Sequence, residues 1–371
     1  MMKRLPSLLR LILPALLLSV LPLGAKTGTY IWDMNELIAL AGNPNSSEYK
    51  KIVRKADEIV GQKPVAVTDK TKCLSGDIHN YESLATYYWP DPDNPGGPYI
   101  PKDGYTNPET KQYDFQRLLQ LNENCTYLSK AFFLTGDTKY HDWLCHQLDT
   151  WFLSRETRMN ADMEYSQFIP GRNKNKGMPG GVLDAYRLVD VMESVLLADQ
   201  MKSIGRSRRK ALRRWFNALG GWMVSSPNGQ KASQMANNHA IAYNGTLLEI
   251  ALFTGNKTLR DGAIQRFVQN VESQIDEDGK MPRELSRTKA FTYSIFNLSH
   301  IAEVCSMIRN SGQDLPVSTV NRIRKSARYL SSFVGKKETF PYKEIEKWET
   351  QEKVLGKVLQ RMTWMEAEKA D

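Results

Sequence analysis

The chain has 371 residues, 50 of them Lys or Arg against 41 Asp or Glu, for a formal net charge of +9. Four cysteines, scattered from Cys73 to Cys305, are too few for a disulfide framework or a zinc site. The basic excess comes without any nucleic-acid-binding module, and no stretch after residue 25 nears the ~20 apolar residues of a membrane-spanning helix.

The first 25 residues read as a secretory signal peptide. Lys3 and Arg4 precede an apolar run at 8–23, broken by Arg10 and prolines, and "LGA" at 23–25 offers small residues for cleavage. The leader contains no cysteine for a lipid anchor, so the mature protein is expected to be soluble and exported, periplasmic or secreted. Losing Lys3, Arg4 and Arg10 with the leader leaves +6, a charge that suits an acidic partner or substrate. "GRSRRKALRRWF" at 205–216 also reads as a plain solvated surface. Export permits one disulfide, Cys125 to Cys145 by separation; buried free thiols are the alternative.

After the leader, strand signals are scarce and helical periodicity is widespread. Candidate helices lie near 47–61, 114–135, 138–153, 182–203, 207–224, 237–254, 257–275, 292–310 and 317–334. Short turns with Gly, Asp, Asn or Pro separate most of them, the pattern of successive αα-hairpins in one all-α domain over 26–371. Two hairpins echo each other: "AFFLTGDTKYHDWLCHQLDTWF" at 131–152 parallels "EIALFTGNKTLRDGAIQRFVQNV" at 249–271. Each has an apolar helix end, a Thr-Gly-Asp/Asn turn and a new amphipathic helix. The 119 residues between Thr135 and Thr254 hold about three hairpins of ~40 residues, a repeat that closes into a toroid or stacks into a solenoid.

Between 73 and 113 the texture changes. "SGDIHNYESLATYYWPDPDNPGGPYIPKDGYTNPET" carries six prolines in 36 residues, with Tyr81, Tyr87, Tyr88, Trp89, Tyr99 and Tyr105. A loop this long in a compact domain is functional or disordered, and its aromatic density argues for order. Aromatic faces over a cleft suit sugar rings; aromatics that pin the loop to the helices are the alternative.

Two stretches carry chemistry. "QMANNHAIAYNG" at 234–245 sets Asn237, Asn238 and His239 at the head of an apolar helix, where Asn can cap the first turn or grip a charged group. "DEDGKMPRELSRTKAFTYSIFNLSH" at 276–300 turns at Asp278-Gly279 and brings Arg283, Arg287 and Lys289 ahead of Tyr293. Basic neighbours lower a tyrosine's pKa, so Tyr293 is expected to exchange a proton near neutral pH. Together the two sets meet the needs of β-elimination from a uronic acid. Asn238 and Arg287 would neutralise the carboxylate, His239 or Tyr293 would take the C5 proton, and Tyr293 would protonate the departing O4. No HExxH, nucleophile elbow or phosphate loop competes, and this chemistry needs no metal or cofactor.

The blocks "SGDIHNYESLATYYWPDP", "NNHA" and "RELSRTKAFTYSIFNL" resemble, in order, the three signature blocks of the alginate lyase superfamily, the (α/α)-toroid polysaccharide lyases. The resemblance spans about 70 to 340. It implies an all-α (α/α) toroid with the aromatic loop over its cleft, acting on an acidic polysaccharide, either alginate or a related polyuronate such as glucuronan. It also implies an active site of Asn238, His239, Arg287 and Tyr293. Asn237, His79, Tyr81, Tyr88, Trp89, Arg172, Arg283 and Lys289 are the expected substrate-binding residues. Ala240 where Gly is usual, Asn80 where Asp is common, and departures at Thr86 and Tyr88 bear on which uronate is preferred. A toroidal glycoside hydrolase would instead need two carboxylates, for which Asp184 and Glu284 are candidates. A non-catalytic glycan-binding protein would keep the aromatics and have no need of the Asn-His and Arg…Tyr sets.

Overall fold

The computed structural model describes residues 28–201 and 204–367; the expected leader lies outside them. Its first half holds α1 (Met34–Ala41), α2 (Ser47–Ile59), α3 (Asp114–Thr135), α4 (Thr138–Leu148) and α5 (Val189–Gln200). The second half continues with α6 (Arg206–Ser225), α7 (Pro227–Ser233), α8 (Asn238–Thr254), α9 (Lys257–Gln274) and α10 (Pro282–Leu285). It ends with α11 (Ala290–Asn310), α12 (Val317–Ser331), α13 (Trp348–Arg361) and α14 (Trp364–Ala367). The hairpins form the expected all-α toroid, with almost no sheet.

The two echoed turns fold alike. α3 ends on Gly136 (φ 68°) and α8 on Gly255 (φ 78°), left-handed C-caps that any side chain would strain. Thr135 and Thr254 each donate their hydroxyl to the carbonyl four residues back at 2.7 Å. Asp137 and Asn256 then cap α4 and α9.

Elsewhere local signals yield to packing. The helix expected over 138–153 changes at Asp149 into a π-helical turn, Asp149–Leu153, and the one over 182–203 begins as a 3₁₀ stretch, Pro179–Leu188. That second stretch opens on Pro-Gly-Gly, poor helix formers that leave the winding to tertiary contacts. The periodicity misses α1, α7, α10 and α14, each too short for a repeating stripe, and α13, whose buried face is only Trp348, Leu355 and Val358.

α8 is the structural centre. Fourteen of its 17 residues are buried, so it has no solvent face, and it packs against α5, α6, α7, α9 and α11. Its Glu249 is fully buried, with neither carboxylate oxygen hydrogen-bonded among the described residues. Burial first, then the charges of Glu193 and Asp190, push its pKa well up, so it sits as the neutral acid. The unfolded chain ionises freely above the ordinary carboxylate pKa while the folded one resists. This residue's contribution is therefore full at low pH and is lost as pH rises. Glu249→Met should raise the melting temperature, and by more at pH 8 than at pH 5; equal gains at both values would mean that Glu249 is ionised in place.

The loop at 73–113 carries three short strands. β1 (Glu82–Leu84) pairs in parallel with β4 (Tyr165–Phe168), and β2 (Tyr88–Trp89) pairs antiparallel with β3 (Ile100–Pro101). Underneath, Lys70 and Asp114 form a buried ion pair at 2.9 Å, and Asp114 also accepts the Glu82 N–H. Tyr81, expected to bind substrate, is instead a core residue: it is 1% exposed and donates its hydroxyl to Asp184 at 2.9 Å. All four cysteines are free, with Cys125, Cys145 and Cys305 buried, so the Cys125–Cys145 bridge is not formed. Among the described residues no helix is long and apolar enough to cross a membrane.

Candidate active site

The N-terminus of α8 supplies one half of the site. Asn237 is its N-cap: the side-chain oxygen accepts the His239 N–H at 3.4 Å, and its carbonyl accepts from Gln274. Of the two roles the sequence offered Asn237, its side-chain oxygen takes the cap. His239, one position into the first turn, places Nδ1 2.9 Å from the Gly180 carbonyl. A carbonyl only accepts, so Nδ1 carries the hydrogen and Nε2 keeps the lone pair. Burial, helped by the positive charge of Arg287, lowers the His239 pKa to about 4 against the pull of the Gly180 bond. The imidazole is therefore neutral at pH 7, with Nε2 ready to accept a proton. Glycine at 180 permits this approach, since a Cβ there would stand 3.1 Å from Cε1 of the ring.

Asn238 is buried, and its partner is Glu284 of α10, 46 residues on. The backbone N–H reaches Oε1 at 2.8 Å, and Nδ2 lies 2.9 Å from both Oε1 and Oε2. The sequence reading set this amide against the substrate carboxylate; the fold gives part of its hydrogen-bonding capacity to Glu284.

The other half comes from the turn before α11 and from that helix's first residues. Arg287 donates through Nε and Nη2 to Asp103 of the long loop, and Thr288 adds its N–H (3.2 Å) and hydroxyl (2.9 Å) to the same carboxylate. Burial raises the Asp103 pKa, but these four donors outweigh it and hold it at about 2, so the loop stays ionised and fastened here. The Arg287 guanidinium lies 4.1 Å from the centre of the Tyr293 ring. Tyr293 overturns one expectation. Arg287 does lower its pKa, but burial and the neighbouring Tyr87 hydroxyl outweigh that charge, so the net shift is upward. The Tyr87 hydroxyl lies near enough to act on it, yet the Tyr293 hydroxyl is buried and makes no hydrogen bond of good geometry among the described residues. Such a group costs stability unless something else comes to bond it. His239 and Tyr293 stand near the N-termini of two long, mutually packed helices, where the macrodipoles favour an anion.

The remaining candidates separate. Lys289 lies 5.9 Å from the Tyr87 ring centre, beside the site, but its ammonium is paired with Glu346 at 2.5 Å. Arg283 is exposed. Tyr88 and Arg172 meet each other, guanidinium over ring at 5.6 Å. Trp89 donates Nε1 to the Tyr105 carbonyl at 2.9 Å and carries Lys102 on its ring at 5.2 Å. His79 bonds the Arg158 carbonyl through Nδ1 at 2.7 Å. No hydrogen bond, ion pair or ring contact joins these last five to the side chains of Asn238, His239, Arg287 or Tyr293 among the described residues. Sequence reasoning missed Gly180 and Asp103 and named Tyr87 only among the loop's aromatics; the Gly-Gly run at 180–181 was a further local signal. The hydrolase acids fail as a pair. Asp184 is 3% exposed and accepts from Tyr81, Ser83 and Gln167, while Glu284 is 1% exposed and occupied by Asn238.

Comparison with known proteins follows the same lines. The family model for alginate lyase matches residues 66–340. The crystal structure of an alginate lyase from Bacteroides ovatus is 34% identical, with a TM-score of 0.87 over 91% of this chain and 92% of that one. Alginate lyase A1-III from Sphingomonas species A1 is similar in fold alone, at 14% identity and a TM-score of 0.53 over 85% of this chain and 80% of that one. A search of curated proteins found no match. With the Asn-His and Arg…Tyr sets gathered at one site and the family's signature running through most of its length, the chain belongs to the alginate lyase family of polysaccharide lyases.

Proposed function

We propose that the chain cleaves alginate by β-elimination, with Asn238, His239, Arg287 and Tyr293 as its catalytic set. The observation that carries this reading is the opposed state of two groups. His239 is a neutral imidazole whose Nε2 makes no hydrogen bond among the described residues, and Tyr293 is a protonated phenol whose hydroxyl likewise makes none there. One is an empty base and the other a loaded acid, pushed apart by their surroundings. Arg287 spends Nε and Nη2 on Asp103, which leaves Nη1 for the uronate carboxylate. Neutralising that carboxylate acidifies the C5 hydrogen; His239 Nε2 takes it, the C4–O4 bond breaks, and the Tyr293 hydroxyl protonates the departing O4. The new chain end then carries a C4–C5 double bond.

The acidic polymer matches the basic excess of the chain, and the leader sequence supports an exported enzyme acting where such polymers are met. Incubating purified protein with mannuronate-rich and guluronate-rich alginate, glucuronan and hyaluronan tests the reading. Growth of ultraviolet absorbance from unsaturated ends on alginate is the expected outcome. Reducing ends without that absorbance would make it a hydrolase, and binding without either product a glycan-binding protein.

A further inference from the structure

We infer that Glu284 is a positioning residue for the reaction, acting through Asn238 by fixing the plane of its carboxamide. This rests on the lyase reading above. Glu284 is 1% exposed, and its carboxylate takes three bonds from one residue: the Asn238 N–H at 2.8 Å and Nδ2 at 2.9 Å from each oxygen. A nitrogen equidistant from both oxygens of a carboxylate is satisfied by one of its two hydrogens lying between them. The other hydrogen is left over, and with the backbone N–H tied to the same carboxylate the side chain cannot rotate to move it. Glu284 thus converts a freely turning amide into a single fixed donor. It does so on the element that holds His239, at the end of a helix enclosed on every side. Arg287 lies close enough for its charge to lower the Glu284 pKa against the effect of burial, so the fixed donor and the free Nη1 of Arg287 belong to one neighbourhood. A uronate carboxylate gains negative character as C5 loses its hydrogen. A donor locked in place before that moment serves the transition state more than the ground state.

The reciprocal arrangement explains why an acid is needed. Glutamine at 284 keeps one oxygen for the backbone N–H but turns an NH2 toward the NH2 of Asn238, so one of the two amides must swing away.

A double-mutant cycle tests this, using full-length protein and alginate. Glu284→Gln alone should lower kcat by roughly 10- to 100-fold with KM changed less than about threefold, as expected when a group is displaced from its reacting position. In an Asn238→Ala background the same substitution should cost less than about twofold more, because its route to the substrate is already gone. Equal fractional losses in both backgrounds, or full activity of Glu284→Gln, would overturn the inference. A second variant tests whether the bond between the two side chains is enough or position 238 must also keep a donor. Asn238→Asp with Glu284→Gln exchanges amide and carboxylate, keeping an acceptor for the backbone N–H and a bond between the side chains. It should melt close to the wild type yet stay inactive, since the side chain at 238 has lost its N–H; activity restored by the exchange would reduce Glu284 to a structural partner. Wild-type protein that produces no unsaturated ends from any polyuronate would refute the lyase reading itself, whereas an active wild type with an additive cycle would refute only the role of Glu284.

Discussion

Tyr293→Phe should lower the rate of unsaturated-end formation by roughly 10²- to 10⁴-fold while leaving the protein at least as stable as the wild type. Both halves of that expectation come from one atom. The phenol is held protonated by burial and by Tyr87, so it is built to give a proton, and phenylalanine has none to give. The ring itself does not change, and the Arg287 guanidinium 4.1 Å above its centre keeps a π-face to rest on. Removing a buried hydroxyl that bonds to nothing in the described residues removes an unpaid desolvation penalty of about 1–3 kcal/mol. Rates on alginate and thermal melts of the two proteins check this. Unchanged activity would sink the proposed mechanism, and a large fall in melting temperature would show that the hydroxyl has a structural partner after all.

The second large effect belongs to His239. In the free enzyme its pKa of about 4 keeps Nε2 unprotonated across the neutral range, and that base form is lost only as pH falls through about 4. The acid limb of kcat/KM should therefore lie near pH 4, well below the ordinary histidine value of about 6.5. His239→Ala should remove that limb and lower activity by roughly 10²-fold or more. The loss should be larger on guluronate, whose C5 hydrogen and O4 lie on opposite faces of the ring, so that two separate groups must act. In mannuronate they share a face, and a single tyrosine could serve both steps once it is a phenolate. Residual mannuronate cleavage by His239→Ala should therefore climb with pH, toward the raised pKa of Tyr293. A wild-type acid limb near 6.5, or a variant that cuts guluronate as well as the wild type does, would remove His239 from the base role.

What could be read from residue order alone was whatever depends on near neighbours. The Thr-Gly-Asp and Thr-Gly-Asn turns announce their own C-caps and N-caps, because a left-handed glycine and a side chain reaching two or three residues ahead are local events. The same holds for Asn237 as a cap, and for the spacing that puts Asn238-His239 and Arg287…Tyr293 at two helix starts. The functional reading was legible for that reason: residue types at helix termini can be recognised without knowing what packs around them.

Tertiary structure decided the electrical state and partners of those residues, which are sums over the whole surrounding volume. Arg287 before Tyr293 predicts a lowered phenol pKa only if charge outweighs burial, and in the folded chain burial and Tyr87 prevail. Asp103 reaches Arg287 across 184 residues, Glu284 reaches Asn238 across 46, and the Gly180 carbonyl that sets the His239 tautomer arrives across 59. Tyr81 and Tyr88 look alike in the same aromatic loop, yet one is sealed against Asp184 while the other stays half-buried beneath Arg172. Nothing near them in sequence separates the two, because burial is set by which distant elements fold over a residue.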